Sequence, residues 1–255
     1  MAANVAYVPI IVCHTNARRL FRPSPLWGEG PGVRGDSPAT SAPKRPLPSD
    51  RSQATAPKTA SKDQTMSRTE DFALLREYTD SESLIKHMLA VEAACRAYAR
   101  KFGEDEEKWG TVGLLHDFDY QRWPNPPDHP LQGAAILKER GYGDEIIYAI
   151  KSHADYLSDT CPRVSRLDKT LYACDELCGF LTACALVRPP RLEGLTLASV
   201  KKKLKNLAFA AAIHREDITR GAADLGVDLD EHIAFCVAAM QPIAADLGLL
   251  PTAEQ

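Results

Sequence analysis

The sequence predicts an all-α fold, a helical bundle preceded by a disordered N-terminal extension. Apolar residues recur at three- and four-residue spacing, which is the period of amphipathic helices. No run alternates apolar and polar residues with enrichment in Val, Ile and Thr, so no convincing strand is indicated. The 255 residues are 44% hydrophobic, which is ample for a packed core. We therefore expect a globular helical protein.

Three helices are indicated most clearly by the spacing of apolar residues. They fall within residues 84–98, 146–150 and 167–181, where apolar side chains return every third or fourth position. Asp80 and Ser81 precede the first of these patterns, and both residue types commonly cap helix N-termini. We therefore expect this helix to begin near residue 81.

Proline and glycine mark further helix boundaries. Asp128 precedes His129-Pro130, which predicts a helix start with proline in its first turn. Gly141 and Gly143 separate two other helical patterns. These signals give the sequence a succession of short helices joined by short connections.

Residues 1–65 differ in composition from the rest of the chain. They contain nine of the eighteen prolines, and Pro, Ser, Gly, Ala and Thr dominate residues 22–65, which predicts disorder. An Arg-rich, acid-poor stretch at 16–22 leaves a transit peptide open. We favour a mis-assigned start, because Met66 stands just before the first helical pattern. The folded domain is predicted to span residues 66–255.

Charge and cysteine content exclude several classes of protein. The formal charge is −3, and nine basic and four acidic residues in 1–65 leave −8 on residues 66–255. This acidic body gives no electrostatic case for a nucleic-acid partner. No run reaches the roughly 18 apolar residues of a membrane-spanning helix. The seven cysteines include no C-x-x-C pair, which argues against a secreted disulfide framework and favours the reducing cytoplasm.

Four histidines and two aspartates, in a fixed order, are the candidate metal ligands. Neutral imidazoles and carboxylates together suit Mn, Fe, Ni or Zn, with Mg as a further candidate. A single histidine on an apolar helix face is more often a hydrogen-bonded core residue, so the inference depends on the whole set. The set is His87, His116, Asp117, His129, His153 and Asp175.

The candidate ligands are predicted to point into the core. His87, His153 and Asp175 each lie three or four residues from apolar residues of the same helix. A further helix through residues 109–115 ends at the His-Asp pair that contains Asp117, at the expected rim of a pocket. A buried carboxylate without a partner is costly, and a divalent cation compensates it directly.

Five short motifs surround these residues, and each contains at least one candidate ligand. The motifs are LIKH (84–87), GLLHD (113–117), DHPLQG (128–133), IKSHAD (150–155) and LYACD (171–175). In this order they resemble the HD-domain superfamily of metal-dependent phosphohydrolases over about residues 80–187. Further similarity to bacterial HDIG-type predicted hydrolases extends through residues 201–205, so residues 188–255 are expected to add C-terminal helices.

The resemblance implies an HD-type helical bundle that holds one or two divalent transition metal ions. In the family, the first and last ligands and the His-Asp pair hold one metal. The two intermediate histidines bring in a second metal, with the position of Asp117 bridging both. Such cations lower the pKa of a bound water and polarise a phosphoryl oxygen. The implied activity is hydrolysis of a phosphate ester or anhydride, in a nucleotide or another small phosphorylated metabolite.

One departure from the family pattern concerns the residues after the His-Asp pair. The HDIG type has Ile-Gly there, whereas this chain has Phe118-Asp119. Asp119 is therefore a candidate catalytic residue beside Asp117. It is expected to orient a water, bind a group of the substrate or cap the loop, and the sequence does not separate these roles.

Two other functions remain open at this stage. The same six ligands also resemble the mixed-valent di-iron oxygenases of the superfamily, which cleave carbon-carbon or carbon-phosphorus bonds. A non-catalytic ligand sensor with a structural metal is the third class. The expected partner is a small phosphorylated molecule, with neither nucleic acid nor a membrane, and the sequence leaves the oligomeric state open.

Two further groups of residues allow more than one interpretation. Arg163, Arg166 and Lys169 recur at three-residue spacing and would meet a phosphate if they shared one helix face, although a solvated helix start is favoured. Cys174 and Cys178 are four residues apart on a predicted helix. Packing beside Leu residues explains these two thiols more simply than metal binding.

Overall fold

The computed structural model describes residues 66–252 as a succession of helices with short connections. No strand occurs within residues 66–252, so the predicted all-α class is confirmed for this part of the chain. The disorder and mis-assigned start expected for residues 1–65 lie outside the described residues. The helices are α1 (Arg68–Tyr78), α2 (Glu82–Phe102), α3 (Glu106–Leu115), α4 (Asp128–Glu139), α5 (Asp144–Ser152), α6 (Arg166–Leu186), α7 (Leu197–Leu204), α8 (Arg215–Leu225) and α9 (Leu229–Met240), with 3₁₀ turns at Asp155–Leu157 and Gln241–Ile243.

Polar side chains at the N-termini explain where several helices begin. Ser67 and Glu70 form a capping box at the start of α1, and Ser165 and Asp168 form another at the start of α6. Ser81 caps α2 by accepting a hydrogen bond from a backbone N–H of the first turn. The predicted helix start near residue 81 is therefore confirmed.

Helix α1 was not indicated by the apolar spacing of the sequence. It buries only Asp71, Leu74 and Leu75, which are too few to give a periodic apolar stripe. The Asp71 carboxylate accepts hydrogen bonds from the hydroxyl groups of Thr111 at 2.6 Å and Tyr142 at 2.7 Å. This buried carboxylate therefore ties α1 to α3 and to the connection before α5.

Helix α4 is bounded at Asp128 as predicted, but its first turn is irregular. The backbone of His129 has φ −79° and ψ 131°, and that of Pro130 has φ −94° and ψ 19°, so neither is helical. The ring of a proline disfavours the helical conformation of the residue before it, which explains the conformation of His129. The regular helix begins only after Pro130, and His129 lies on an extended segment.

Helices α2 and α6 form the centre of the domain. Each has 21 residues, and 15 of those in α6 are buried. Helix α3 packs across α2, while α5 and α8 pack against α6, and α9 packs against both central helices. The core between them includes Met88, Tyr98, Leu171 and Phe180, which are all fully buried. The two long helices therefore provide a rigid support for the shorter ones.

The cysteines of the described residues are free thiols in the core, in agreement with the expected lack of a disulfide framework. The buried thiols are Cys95, Cys161, Cys174, Cys178, Cys184 and Cys236.

Among residues 66–252, no helix is both long and apolar enough to cross a lipid bilayer.

Gly113 allows α3 to approach the backbone of α2 closely. A Cβ at this position would lie 2.8 Å from the Cα of Glu92 and 2.9 Å from the carbonyl oxygen of Val91. We expect Gly113→Ala to lower the free energy of unfolding by about 1–3 kcal/mol, because backbone atoms must move apart. Chemical denaturation in the presence of a chelator measures this change.

Gly179→Ala in α6 is the matched control for Gly113→Ala. Its added Cβ would meet only His87, no closer than 3.9 Å, which is an ordinary contact. We expect this variant to gain up to about 1 kcal/mol from helix propensity. Equal stability changes in the two variants would contradict the close approach of α3 to α2.

Candidate metal centre

The structure brings all six candidate ligands together at one place in the helical bundle. They come from the ends of α3 and α5, the irregular start of α4, and the interior of α2 and α6. Five of them are buried, and His87 is partly exposed. The side chains of His87 and Asp175 are 11% and 8% exposed, more than those of the other four. The centre therefore meets solvent beside His87 and Asp175. Their role as metal ligands stays a prediction.

One half of the centre lies between α2, α3 and α6. The Nε2 atom of His87 lies 3.0 Å from Oδ1 of Asp175, and Nε2 of His116 lies 3.5 Å from the same oxygen. His116 Nε2 is also 3.6 Å from Oδ2 of Asp117. One donor atom from each of His87, His116 and Asp117 lies within 4.8 Å of the others, so these donors can share one ion.

The other half of the centre lies around the second oxygen of Asp117. Asp117 Oδ1 is 3.2 Å from Nε2 of His129 and 3.5 Å from Nε2 of His153. These two histidine nitrogens are 3.3 Å apart. Donor atoms of the three residues also lie within 4.8 Å of one another. Asp117 is therefore the residue common to both groups.

Hydrogen bonds to the backbone fix the orientation of two histidine rings. The Nδ1–H of His116 donates to the carbonyl oxygen of Gly113 at 2.9 Å, and the Nδ1–H of His153 donates to that of Ile150. A neutral imidazole protonated at Nδ1 carries its lone pair on Nε2. Both rings therefore present a metal-binding nitrogen to the centre.

Asp119 orients the ring of His129. It is fully buried, and its Oδ1 accepts a hydrogen bond from Nδ1 of His129 at 2.7 Å. Its Oδ2 accepts the backbone N–H of Gly133, also at 2.7 Å. A carboxylate behind a histidine in this way fixes which ring nitrogen faces a metal. The three roles suggested by the sequence stay predictions, and the structure adds this contact with His129.

Gly133 is a residue of the site that sequence reasoning did not single out. A Cβ at this position would lie 2.8 Å from Oδ2 of Asp119, so a larger residue would displace the carboxylate. The signal was present in the sequence as the last position of the DHPLQG motif. Its meaning depends on the contact with Asp119, which only the folded chain reveals.

Buried polar atoms without hydrogen-bond partners indicate that the centre fits a cation. Among the described residues, Nε2 of His116 and both carboxylate oxygens of Asp117 make no hydrogen bond. Leaving an ionised carboxylate in this state is costly. The combination of imidazole and carboxylate donors suits divalent transition metals, so a bound ion would satisfy these atoms.

The charges within the centre are strongly coupled. Burial alone lowers the pKa of His116, but the carboxylates of Asp117 and Asp175 outweigh it and raise the pKa to about 10. Burial similarly lowers the pKa of His129, whereas Asp117 and Asp119 raise it to about 9. Burial raises the pKa values of Asp117 and Asp175, yet the neighbouring histidines hold both below their usual value. Protons on His116 and His129 therefore help to balance the carboxylates without a metal.

Glu176 is a partly buried acid next to Asp175 that sequence reasoning also missed. Burial, reinforced by the charge of Asp175, raises the pKa of Glu176 to about 9, so this carboxyl group carries a proton at neutral pH. It accepts a hydrogen bond from the backbone N–H of His214 at 2.5 Å. Its position directly after Asp175 was the available signal, but the sequence does not reveal which side of α6 is covered.

The basic residues before α6 do not form one phosphate-binding face. Arg163 lies before the helix, where it pairs with Asp155 at 3.0 Å and stacks over the ring of Tyr172. Arg166 pairs with Glu104 at 3.2 Å. Arg163 and Arg166 therefore do not share one helix face, and phosphate binding by this group stays a prediction.

Comparisons with known proteins agree with the arrangement of the centre. Residues 84–178 match the HD domain family. Ribonuclease Y of Nitratidesulfovibrio vulgaris (strain DP4) is 38% identical over 77 residues, which are 29% of this chain and 14% of the relative. Ribonuclease Y of Oleidesulfovibrio alaskensis is 30% identical over 105 residues, 39% of this chain and 18% of the relative. No solved structure matches the chain significantly.

The helical bundle thus holds a largely buried centre of histidine and aspartate side chains that could bind a metal ion. The chain is similar to the HD-domain superfamily over residues 84–178. Members of this superfamily bind divalent metals and are mostly metal-dependent hydrolases. This chain spans less than a fifth of the length of the curated relatives described above.

Asp119→Asn is expected to weaken metal binding about 10–100-fold, because it removes the charged acceptor that orients His129. The amide keeps the size of the side chain but can accept only one of the two hydrogen bonds now made to His129 and Gly133. Competition with a chromophoric chelator for Mn²⁺ measures the affinity. Asp128→Asn, an exposed neighbour of His129, is the control and should leave the affinity unchanged. Unchanged affinity in Asp119→Asn with lost turnover would instead favour a direct role on water or substrate.

Metal binding is expected to release protons and to strengthen as the pH rises. A pH of 7 is below the raised pKa values of His116 and His129, so both rings are protonated in the metal-free chain. Both must lose a proton to bind a metal, so affinity falls as the pH falls below about 9. Calorimetry in buffers of different ionisation enthalpy should give about two protons released per chain at pH 7. Binding without proton release would show that these rings are not ligands.

Proposed function

We propose that this protein is a metal-dependent phosphohydrolase that cleaves a phosphate ester or anhydride in a nucleotide or another small phosphorylated molecule. The observation that carries the proposal is the position of Asp117, which lies between two groups of histidines with both oxygens unsatisfied. The match of residues 84–178 to a superfamily composed mostly of metal-dependent hydrolases supports the same reaction class.

In this proposal, one or two divalent metal ions are held by the six residues of the centre. Mn, Fe, Ni and Zn suit the donors, and Mg is a further candidate. A divalent ion bound there would lower the pKa of a water molecule that it binds and would polarise a phosphoryl oxygen. The ligands would be His87, His116, Asp117, His129, His153 and Asp175.

The chain itself contributes orientation and a dry environment. Because His116, Asp117 and His153 are almost fully buried, bulk water has no access to that side of the centre. The partial exposure of His87 and Asp175 supports entry of the substrate on their side. The backbone carbonyl groups behind two rings and the carboxylate of Asp119 hold the histidines in place without movement during turnover. Asp119 acts here as a positioning residue, since both its oxygens are engaged by the chain.

RNA is the second candidate substrate, because the relatives that match residues of this domain are named ribonuclease Y. The match covers only 14% and 18% of those relatives, so their activity does not follow for this chain. The formal charge of −8 on residues 66–255 opposes the approach of a long polyanion. A small phosphorylated molecule is therefore the favoured substrate, with RNA as a separate arm of the test.

Asp117→Asn is expected to lower the turnover number by at least about 10²-fold, because polarisation by metal is worth several kcal/mol. The assay panel contains phosphomonoesters, phosphodiesters, nucleoside triphosphates, cyclic nucleotides and an RNA oligomer, each with Mn²⁺ or Fe²⁺. Asp128→Asn is the matched control, with the same change at an exposed carboxylate nearby, and should retain full activity.

The panel also separates the proposal from its alternatives. Cleavage of the RNA oligomer without cleavage of small phosphoesters would replace the small-molecule substrate. Two bound irons, oxygen consumption with a polyol or phosphonate and no phosphoester cleavage would establish a di-iron oxygenase instead. No turnover of any compound by protein with a full complement of metal would favour a ligand sensor.

A further inference from the structure

A second group of metal-binding side chains lies in the core between α6 and α9. Cys174, His232 and Cys236 each present one donor atom within 4.8 Å of the others, and all three are buried. Cys178, one turn further along α6, lies outside this group of three, and its thiol donates to the carbonyl oxygen of Ala90 at 3.7 Å. None of these residues belongs to the His/Asp centre. Cys174 directly precedes Asp175, so it points about 100° away around the axis of α6.

The spacing of these residues places two pairs opposite each other on facing helices. Cys174 and Cys178 are four residues apart on α6, and His232 and Cys236 are four residues apart on α9. Side chains four residues apart lie on the same face of a helix. The C-x3-C and H-x3-C pairs fall within the ligand spacings that structural zinc sites use.

His232 is oriented as a metal-binding histidine. Its Nε2–H donates to the backbone carbonyl oxygen of Ala173 at 2.9 Å, which leaves the lone pair on Nδ1. Nδ1 faces the thiols and lies 3.7 Å from Sγ of Cys236. The hydroxyl of Tyr98 donates to the same nitrogen at 2.6 Å, and a bound ion would take the place of that hydroxyl.

The separation of the donors fits a tetrahedral zinc ion. With Zn–S near 2.3 Å and Zn–N near 2.0–2.1 Å, neighbouring ligand atoms are about 3.6–3.8 Å apart. The distance of 3.7 Å between His232 Nδ1 and Cys236 Sγ lies in this range. Three cysteines and one histidine are also a common donor set of closed structural sites.

Simple packing is the competing explanation, since buried free cysteines behave as small apolar side chains. The sequence favoured packing for Cys174 and Cys178, because the spacing within α6 was the only information. The folded chain adds a histidine and a third cysteine from α9, more than fifty residues later. The Nδ1 atom of His232 lies 2.6 Å from the Tyr98 hydroxyl and 3.7 Å from the Cys236 thiol, so packing alone would also satisfy this ring, and metal analysis separates the two explanations.

We propose that Cys174, His232 and Cys236 bind one Zn²⁺ ion in a structural site separate from the His/Asp centre, with Cys178 as the fourth ligand once its thiol turns away from the carbonyl oxygen of Ala90. The three thiols lose their protons on binding, and no oxidant or reductant is involved. The ion would link α6 to α9 and support the helix that carries Asp175. This site does not depend on the proposed hydrolase activity.

Cobalt substitution in the full-length chain tests the site directly. Cells grown in cobalt-supplemented medium should give a protein with near-ultraviolet thiolate-to-cobalt absorption, and purification under reducing conditions keeps the thiols free. This band should persist in His116→Ala, because the ligands of the His/Asp centre include no sulfur. It should disappear in Cys236→Ser, with the loss of one metal equivalent per chain.

Cys184→Ser is the matched control, because Cys184 is a buried cysteine of α6 outside the cluster. It should keep both the absorption band and the full metal content. An absent band in the parent protein, or an unchanged band in Cys236→Ser, would overturn the site. A disulfide between Cys174 and Cys236 in the parent protein would overturn it as well.

X-ray absorption provides a measurement that does not depend on the folding of a cysteine variant. His116→Ala grown with zinc should show sulfur neighbours about 2.3 Å from the metal. Only nitrogen and oxygen neighbours, or no bound zinc in that variant, would contradict the proposal.

Discussion

The buried carboxylate of Asp117 is the constraint on which the arrangement of the centre depends. Its side chain is 1% exposed, and neither oxygen accepts a hydrogen bond within the described residues. An ionised group in this position must be balanced by nearby positive charge. Four histidines from four helical segments surround it, and without metal the raised pKa values of His116 and His129 let these two rings provide positive charge. The helices are therefore placed so that charge converges on one aspartate.

The ends of short helices supply the rings that surround Asp117. His116 and His153 both follow the last residue of a helix, and each Nδ1 bonds to the carbonyl oxygen three residues earlier. These carbonyl oxygens have no partner within the helix, so the histidines satisfy them while orienting their own rings. His129 stands at the start of α4, where no helical turn precedes it, and the carboxylate of Asp119 takes the place of such a carbonyl. The three rings are thus oriented by two kinds of acceptor, a backbone carbonyl oxygen for His116 and His153 and a carboxylate for His129.

The sequence was sufficient for the fold class and for the residues that meet at the centre, because both depend on helical periodicity. His87 and Asp175 were expected to face inward from their spacing to apolar neighbours, and the folded chain brings them within 3.0 Å. Contacts between distant segments were not accessible in this way. The bond of Asp119 to His129 and the meeting of α6 with α9 depend on tertiary packing, which periodicity within one helix does not encode.

Helix α6 connects the two groups of donors and explains why both can exist in so small a domain. Most of its circumference is covered by other helices, so adjacent residues can point into different parts of the core. Asp175 faces the His/Asp centre, whereas Cys174 faces α9. Oxygen and imidazole donors on one side suit harder divalent metals, and thiols on the other select softer ones. The same helix therefore separates two kinds of donor side chain by the rotation of about 100° between adjacent residues.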